Sequence, residues 1–128
     1  MPLWLKSLHK KNVIVEENIP NSKEFISSKS LMLVPLLSGS GMRVKIIEGL
    51  ALGKTIISTS VGAEGIEVTN KKNILIANTP DEFLKQIAFC LENPHAVGLI
   101  GKEARKLAEE KYNNVSICNN LLNFYKTL

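Results

Sequence analysis

Hydrophobic residues in this chain fall into two patterns, short continuous apolar runs and runs spaced as on one face of a helix. The run from Leu31 to Leu37 predicts a strand covered on both faces, and Pro35 is expected at its end rather than its middle. Two β-branched or aliphatic runs, at 55–60 and 73–77, predict further strands. A shorter strand is predicted at 13–15.

Helices are predicted between these strands and after the last of them. The sequence Thr79-Pro80-Asp81-Glu82 combines a threonine N-cap, a proline at the first helical position and a glutamate three residues after the cap. The apolar face of that helix is predicted to hold Phe83, Leu84, Ile87, Ala88 and Leu91. The other predicted helices are a short one around Trp4, Leu5 and Leu8, a brief one capped by Asn21 or Ser22, one at 42–52 ended by Gly53, one from Asn93 to about Tyr112, and one at about 115–128.

The alternation of strands with helices predicts an α/β fold with a parallel sheet. We expect about four strands, flanked by helices and followed by C-terminal helices, in a single domain over residues 1–128. Ligands of such sheets bind at the carboxyl ends of the strands. A glycine-rich turn follows Leu37 at such an end, so this turn is the first place to look for a site.

The glycine-rich turn consists of Gly39, Ser40, Gly41 and Met42 and leads into the helix at Arg43. Backbone N–H groups of such a turn, together with a helix N-terminus, form a binding site for an anion. A tight turn that needs a positive φ explains the glycines equally well. Arg43 lies where the helix dipole disfavours a cation, and either a bound phosphate or plain solvent exposure accounts for it.

Glu48 lies a turn and a half into this helix, where a carboxylate is positioned to accept hydrogen bonds from ribose hydroxyls. A helical projection predicts that Lys45, Glu48 and Gly49 lie opposite a broad apolar face, with Gly49 leaving room for the ribose. The alternative is a solvated i,i+3 ion pair between Lys45 and Glu48. The apolar face is predicted to hold Met42, Ile46, Ile47, Leu50 and Ala51.

Other polar residues give weaker signals. Glu64, in the loop between Gly62 and Gly65, either binds a ligand hydroxyl or forms part of a turn, and the flanking glycines favour the turn. His9 and His95 have no partner at a useful spacing, and neither is assigned a catalytic role. No catalytic residue and no metal ligand set is predicted, so any chemistry would consist of positioning and charge stabilisation at a diphosphate leaving group.

Composition narrows the class of protein. Hydrophobic residues make up 45% and aromatic residues 5% of the chain, with a formal charge of +4, so an aliphatic core is expected and nucleic-acid binding is poorly supported. The two cysteines, Cys90 and Cys118, lie far apart in apolar patterns, which favours free thiols in a reducing, cytoplasmic compartment. No apolar run approaches the roughly 18 residues of a transmembrane segment, and the N-terminus is unlike a signal peptide.

The segment from Arg43 to Ile66 resembles the donor-binding region of the GT-B glycosyltransferases of the group 1 type, which are glycogen-synthase-like and largely retaining. The resemblance extends from about Asn12 to the C-terminus and implies a Rossmann-like domain that binds a nucleotide-diphosphate sugar as donor substrate, with no other cofactor. In this family two glutamates spaced by seven residues mark the site. The second matches Glu48, which is implied to bind ribose, and the first is Ser40 here.

The resemblance also implies that the chain is an incomplete C-terminal domain. The acceptor-binding domain, two strands of the donor domain and a basic pair that grips the diphosphate would precede Met1. We therefore expect part of a hexosyltransferase, serving polysaccharide biosynthesis and inactive alone, in which turn residues 39–43, Lys45 and Glu48 bind the donor. The sheet is expected to re-pair, to form a homodimer or to be completed by an N-terminal half.

Two other functions follow from the same residues. A non-catalytic module could bind a nucleotide or complete a partner protein. A dinucleotide-binding oxidoreductase is disfavoured, because the glycine turn lacks the Gly-x-Gly-x-x-Gly pattern with an acid about 20 residues further on.

Overall fold

The computed structural model of the chain describes residues 13–16, 19–38 and 43–113, and two helical residues further on, 122 and 126. The predicted helix at 4–8, the glycine turn at 39–42 and most of the predicted helix at 115–128 lie outside these residues. The helices and strands are α1 (Ser22–Ser27), β1 (Leu31–Val34), α2 (Arg43–Ala51), β2 (Thr55–Ser58), β3 (Leu75–Ile76), α3 (Pro80–Glu92) and α4 (Pro94–Lys111).

The three strands form one parallel sheet in the order β1-β2-β3, which confirms the α/β fold. Leu31 pairs with Thr55, and this register continues to Val34 and Ser58. The strand predicted at 13–15 is wrong: Val13 makes an isolated bridge, and Ile14 is 83% exposed. No described strand offers these residues a ladder of hydrogen bonds, so their β-branched side chains alone do not make a strand. The described sheet therefore has three strands rather than about four.

The sheet is covered on both faces, because successive side chains of a strand point to opposite sides. One core cluster joins strand residues with α2 and the second half of α4, and its members include Val34, Ile46, Leu50, Ile56, Ile74 and Ala104. The other joins the opposite strand face with α3 and the start of α4, and its members are Ile57, Leu75, Ala77, Cys90 and Ile100. Helix α4 therefore packs against both layers.

The helix boundaries follow their predicted caps. The side chain of Asn21 accepts a hydrogen bond from the Glu24 amide at 3.1 Å, and that of Thr79 accepts one from the Glu82 amide at 3.2 Å. Gly53 ends α2 with φ of +71°. The amides of Gly53 and Lys54 bond to carbonyls of the last turn of α2, which is the Schellman arrangement.

The predicted apolar face of α3 is partly wrong. Phe83 and Ile87 contact the core, but Leu84, Ala88 and Leu91 are exposed, and Cys90 is buried instead. The apolar arc of this helix is wider than the line along which the sheet touches it. The residues that touch the sheet, Phe83, Ile87 and Cys90, are spaced by four and three. Each of Leu84, Ala88 and Leu91 comes one position later and so points about 100° away from this contact.

Helix α4 passes close to the turn that ends α2. The Thr55 hydroxyl donates a hydrogen bond to the Val97 carbonyl at 2.7 Å, across the amino end of β2.

Among the described residues, every buried side-chain nitrogen or oxygen has a hydrogen-bond partner. In the same part of the chain, no helix combines the length and the apolarity that crossing a membrane requires.

Candidate functional site

Lys45 and Glu48 lie side by side on α2, as their i,i+3 spacing predicts. The Lys45 ammonium is 3.4 Å from the Glu48 carboxylate. The two side chains differ in exposure: 47% of the Lys45 side chain is accessible but only 18% of that of Glu48. A fully solvated pair would expose both side chains, so the Glu48 side chain is the partly shielded member of this pair. This acid lies on α2, the helix that follows β1 in the chain.

The glycine turn connects these elements. Strand β1 ends at Val34 and α2 begins at Arg43, so the turn lies between these two elements in the sequence. Residues 39–42 lie outside the described part of the chain, and only the backbone of Arg43 is described. The anion site formed by the amides of Gly39, Gly41 and their neighbours stays a prediction.

The prediction for Gly49 is wrong. Gly49 is buried, and a Cβ built on it would stand 2.7 Å from the Met32 sulfur and 3.0 Å from a terminal carbon of Ile56. The glycine therefore lets α2 lie close to β1 and β2, and leaves no room for a ligand. At 100° per residue, Gly49 is only about 60° from Ile46 on the helix, which placed it within the buried arc. Ala51, predicted on the apolar face, is exposed.

The loop after β2 is a series of turns tied to the ends of two strands. Thr59 accepts a hydrogen bond from the Gly62 amide at 3.0 Å through its hydroxyl, which in turn donates to the Leu36 carbonyl. Gly65 has φ of +83°, which favours glycine. Glu64 is exposed in this loop, as the turn interpretation predicts. The loop therefore joins the segment after β1 to the segment after β2 at one edge.

Sequence reasoning missed an open groove at the same edge of the sheet, with a volume of about 390 Å³. It lies on the α3 face, opposite α2 and Glu48, and is almost entirely apolar. The sequence signal that could have revealed the groove is the alternation of apolar residues at Leu33, Pro35 and Leu37, because alternate residues of an extended chain lie on one face. The lining residues are Leu33, Pro35, Leu37, Thr59, Asn78, Thr79, Pro80, Phe83 and Ile87.

One side of the groove is fixed by a reciprocal pair of hydrogen bonds. The Ser60 amide donates to the side-chain oxygen of Asn78 at 2.9 Å, and the Asn78 amide group donates to the Ser60 hydroxyl at 3.0 Å. The backbone amide of Asn78 also donates to the Glu82 carboxylate. These bonds join the ends of β2 and β3 to the first turn of α3.

The remaining candidates give no further site. His95 is exposed in the first turn of α4. Burial raises the pKa of the Cys90 thiol, which favours its protonated form. Cys118 and His9 lie outside the described residues. Within the ranges that the structure describes, no three histidine, cysteine, aspartate or glutamate residues are grouped so as to hold a metal ion.

Comparison with known proteins gives a consistent result. The family model described as Glycosyl transferases group 1 matches residues 2–93, well over half of the chain. An uncharacterized 44.6 kDa protein in the cps region of Klebsiella pneumoniae is 22% identical over 110 residues, which are 86% of this chain and 28% of that relative.

Two solved structures share the fold. Alr3699/HepE of Anabaena, solved in complex with UDP, matches 82% of this chain with a TM-score of 0.74 and 17% identity. The C-terminal domain of LpcC from Francisella tularensis, a group 1 family protein, matches 77% with a TM-score of 0.67 and 14% identity. The chain covers 29% of the HepE chain and 53% of the LpcC domain, so it spans less than a third of its longer relatives.

Proposed function

The chain belongs to the group 1 glycosyl transferases, and we propose that it carries part of the site that binds a nucleotide-diphosphate sugar donor. The reaction of the whole protein would transfer a glycosyl group from this donor to an acceptor. The observation that supports the proposal best is the partly shielded Glu48 side chain on the helix that follows the carboxyl end of β1. Ligands of parallel α/β sheets bind at this edge.

In this proposal Glu48 accepts hydrogen bonds from the ribose hydroxyls. Lys45, whose ammonium is 3.4 Å from the carboxylate, forms an ion pair with it. The amides of residues 39–43 bind the diphosphate, and Ser40 stands where relatives carry their first acid. Developing charge on the leaving diphosphate would then be stabilised by backbone dipoles rather than by a catalytic side chain.

The comparisons guide the choice of donor and acceptor. HepE was solved with UDP, so UDP is the first nucleotide to test. As the acceptor class we propose a surface polysaccharide, or a lipid-linked sugar that is its precursor. The relative from a cps region supports this choice. We propose a cytoplasmic location, where nucleotide sugars are available, and no cofactor besides the donor.

We propose that residues 1–128 alone do not catalyse glycosyl transfer. In this proposal α2 and the turn before it form one wall of the donor cleft, and positioning both substrates requires a second wall. A glycosyl transfer assay with this chain and UDP-sugars should give no product. Measurable transfer would contradict this part of the proposal and leave donor binding intact.

A second candidate is a non-catalytic module that binds a nucleotide or completes a partner protein. The one-sided pairing of β1 among the described strands favours it. The two functions differ in what an assembled complex does: a complex that contains this chain and transfers sugar supports the first, and a stable complex without transfer supports the second.

Amide NMR shifts during titration with nucleotides test the donor site. UDP, GDP, ADP and their sugars are added in turn to the labelled chain, and adenosine serves as a ligand without a diphosphate. The proposal expects shifts confined to residues 39–48 with one diphosphate series. Absence of shifts with every ligand, or shifts only around the groove on the α3 face, would contradict it.

A further inference from the structure

Thr59 directly follows β2 and makes hydrogen bonds to residues from two different segments. Its hydroxyl donates to the Leu36 carbonyl, which can only accept, and accepts from the Gly62 amide at 3.0 Å. Its backbone amide donates to the Val34 carbonyl at 3.3 Å, and its backbone carbonyl accepts from the Ala63 amide at 3.1 Å. Thr59 therefore joins the segment that leaves β1 to the loop that follows β2.

The segment that leaves β1 depends on this contact. In the part of the chain that the structure describes, the bond from Thr59 to Leu36 is the only hydrogen bond that residues 35–38 make. Leu36 packs at the margin of the core, whereas Pro35, Leu37 and Ser38 are exposed. The glycine turn at 39–42 follows directly in the sequence. The Thr59 hydroxyl therefore holds the last described point of contact before that turn.

The surroundings of the Thr59 hydroxyl give it a fixed direction. Thr59 is 2% exposed, so water does not compete for its hydrogen bonds, and a β-branched side chain has few rotamers. A Cβ built on Gly62 would stand 2.6 Å from the Ser58 hydroxyl oxygen and 3.4 Å from that of Thr59. The loop after β2 thus lies tightly against both hydroxyls, and this close approach brings the Gly62 amide within reach of Thr59.

We infer that Thr59 is a positioning residue for the donor site: by binding the Leu36 carbonyl, it fixes where the chain enters the glycine turn. The inference rests on the proposed function, in which backbone amides of this turn bind the diphosphate. A binding loop that is ordered beforehand loses less conformational entropy when its ligand binds, and the affinity is higher for that reason. Thr59 acts through Leu36 and does not itself contact the donor.

Thr55, at the other end of β2, provides a matched control. It is also 2% exposed, and its hydroxyl donates to the Val97 carbonyl at 2.7 Å. Thr59→Val and Thr55→Val each remove a buried hydroxyl and keep the shape of the side chain, whereas Thr59→Ser retains the hydroxyl. A role in stability alone would leave nucleotide binding unchanged in both valine variants as long as they fold. A role in positioning affects binding in Thr59→Val only.

Two measurements on the full chain test the inference. The first is calorimetric titration with UDP, GDP and ADP, and the second is the backbone order parameters of residues 37–43 without nucleotide, obtained from nitrogen-15 relaxation. We expect Thr59→Val to bind the nucleotide about fivefold more weakly than wild type, as the loss of one net hydrogen bond predicts. The order parameters should fall in the same variant. Thr59→Ser and Thr55→Val should resemble wild type in both measurements.

Several results would overturn the inference: order parameters that do not change in Thr59→Val, a nucleotide affinity of this variant equal to that of wild type, or an equal loss of affinity in Thr55→Val. Wild type tests the donor site separately. If wild type binds none of the nucleotides, the donor site is wrong, and the order parameters alone decide whether Thr59 fixes the turn. If circular dichroism shows that Thr59→Val does not fold, Thr59→Cys replaces it, because a thiol is only a weak donor.

Discussion

Gly101 in the middle of α4 lies against the backbone carbonyl of Gly53, the residue that ends α2. A Cβ built on Gly101 would overlap that carbonyl oxygen. Both partners are backbone atoms, and the carbonyl belongs to the turn that joins α2 to β2. The close approach therefore fixes the distance between α4 and the helix that carries Glu48.

Replacing Gly101 should destabilise the protein. We predict that Gly101→Ala lowers the free energy of unfolding by about 1–3 kcal/mol, because an added methyl group in a tightly packed contact forces the backbone apart. At Gly98, one turn earlier on α4, an added Cβ would meet no atom within 4 Å. Gly98→Ala should therefore raise stability by about 0.5–1 kcal/mol, because alanine loses less conformational freedom than glycine when a helix forms. Urea unfolding of both variants measures the difference, and equal effects would contradict the contact.

The buried side chain of Asn73 stabilises the turn before β3 with a hydrogen bond. Its side-chain oxygen accepts a hydrogen bond from the Thr69 amide at 2.7 Å, and the residue is buried. We predict that Asn73→Ala costs about 1–3 kcal/mol of stability, because the Thr69 amide loses its partner. Asn70→Ala is the control: Asn70 accepts from the Ile76 amide at an exposed position, where water can replace it. A control variant as unstable as Asn73→Ala would contradict this account.

Cys90 should react slowly with alkylating reagents. Burial raises the pKa of its thiol, so the thiolate fraction stays low at pH 8 in the folded protein. Iodoacetamide labelling, read by peptide mass, should be much slower at Cys90 in the native chain than in urea. Rapid native labelling at pH 8 would show that the thiol is accessible and ionised.

The same shift makes stability depend on pH. The folded pKa of Cys90 lies above the unfolded one, so the unfolded chain loses this proton first as the pH rises. The contribution of Cys90 is therefore complete below the unfolded pKa and is lost as the pH rises towards the folded value. Comparing wild type with Cys90→Ala between pH 7 and 10 isolates it, and a difference that does not change with pH would contradict the assignment.

Local features could be predicted from sequence and distant ones could not. The caps at Asn21 and Thr79 were predictable because each side chain bonds to an amide three residues away. The Lys45–Glu48 contact follows from helical spacing in the same way. The groove was missed because it joins Leu37 to Phe83, which only the folding of the sheet brings together.

The two errors in helix orientation have different causes. The apolar arc of α3 was wider than its contact with the sheet, and the sequence carries no signal for which line within the arc is covered. Gly49, in contrast, lies within the buried arc of α2 by its angle alone, and its small size reflects the Met32 sulfur beside it. A glycine inside a helix therefore indicated close packing rather than space for a ligand.

The central claim is that Glu48 binds the ribose of a nucleotide donor, and calorimetric titration with UDP tests it most directly. Wild type is compared with Glu48→Gln, and with Glu109→Gln, which alters an exposed i,i+4 pair with Arg105 on α4. Loss of hydrogen bonds to a charged group costs about 1.5–3 kcal/mol, so Glu48→Gln should weaken UDP binding roughly tenfold or more. The Glu109 variant should bind as wild type does. Equal affinity of wild type and Glu48→Gln would contradict the account.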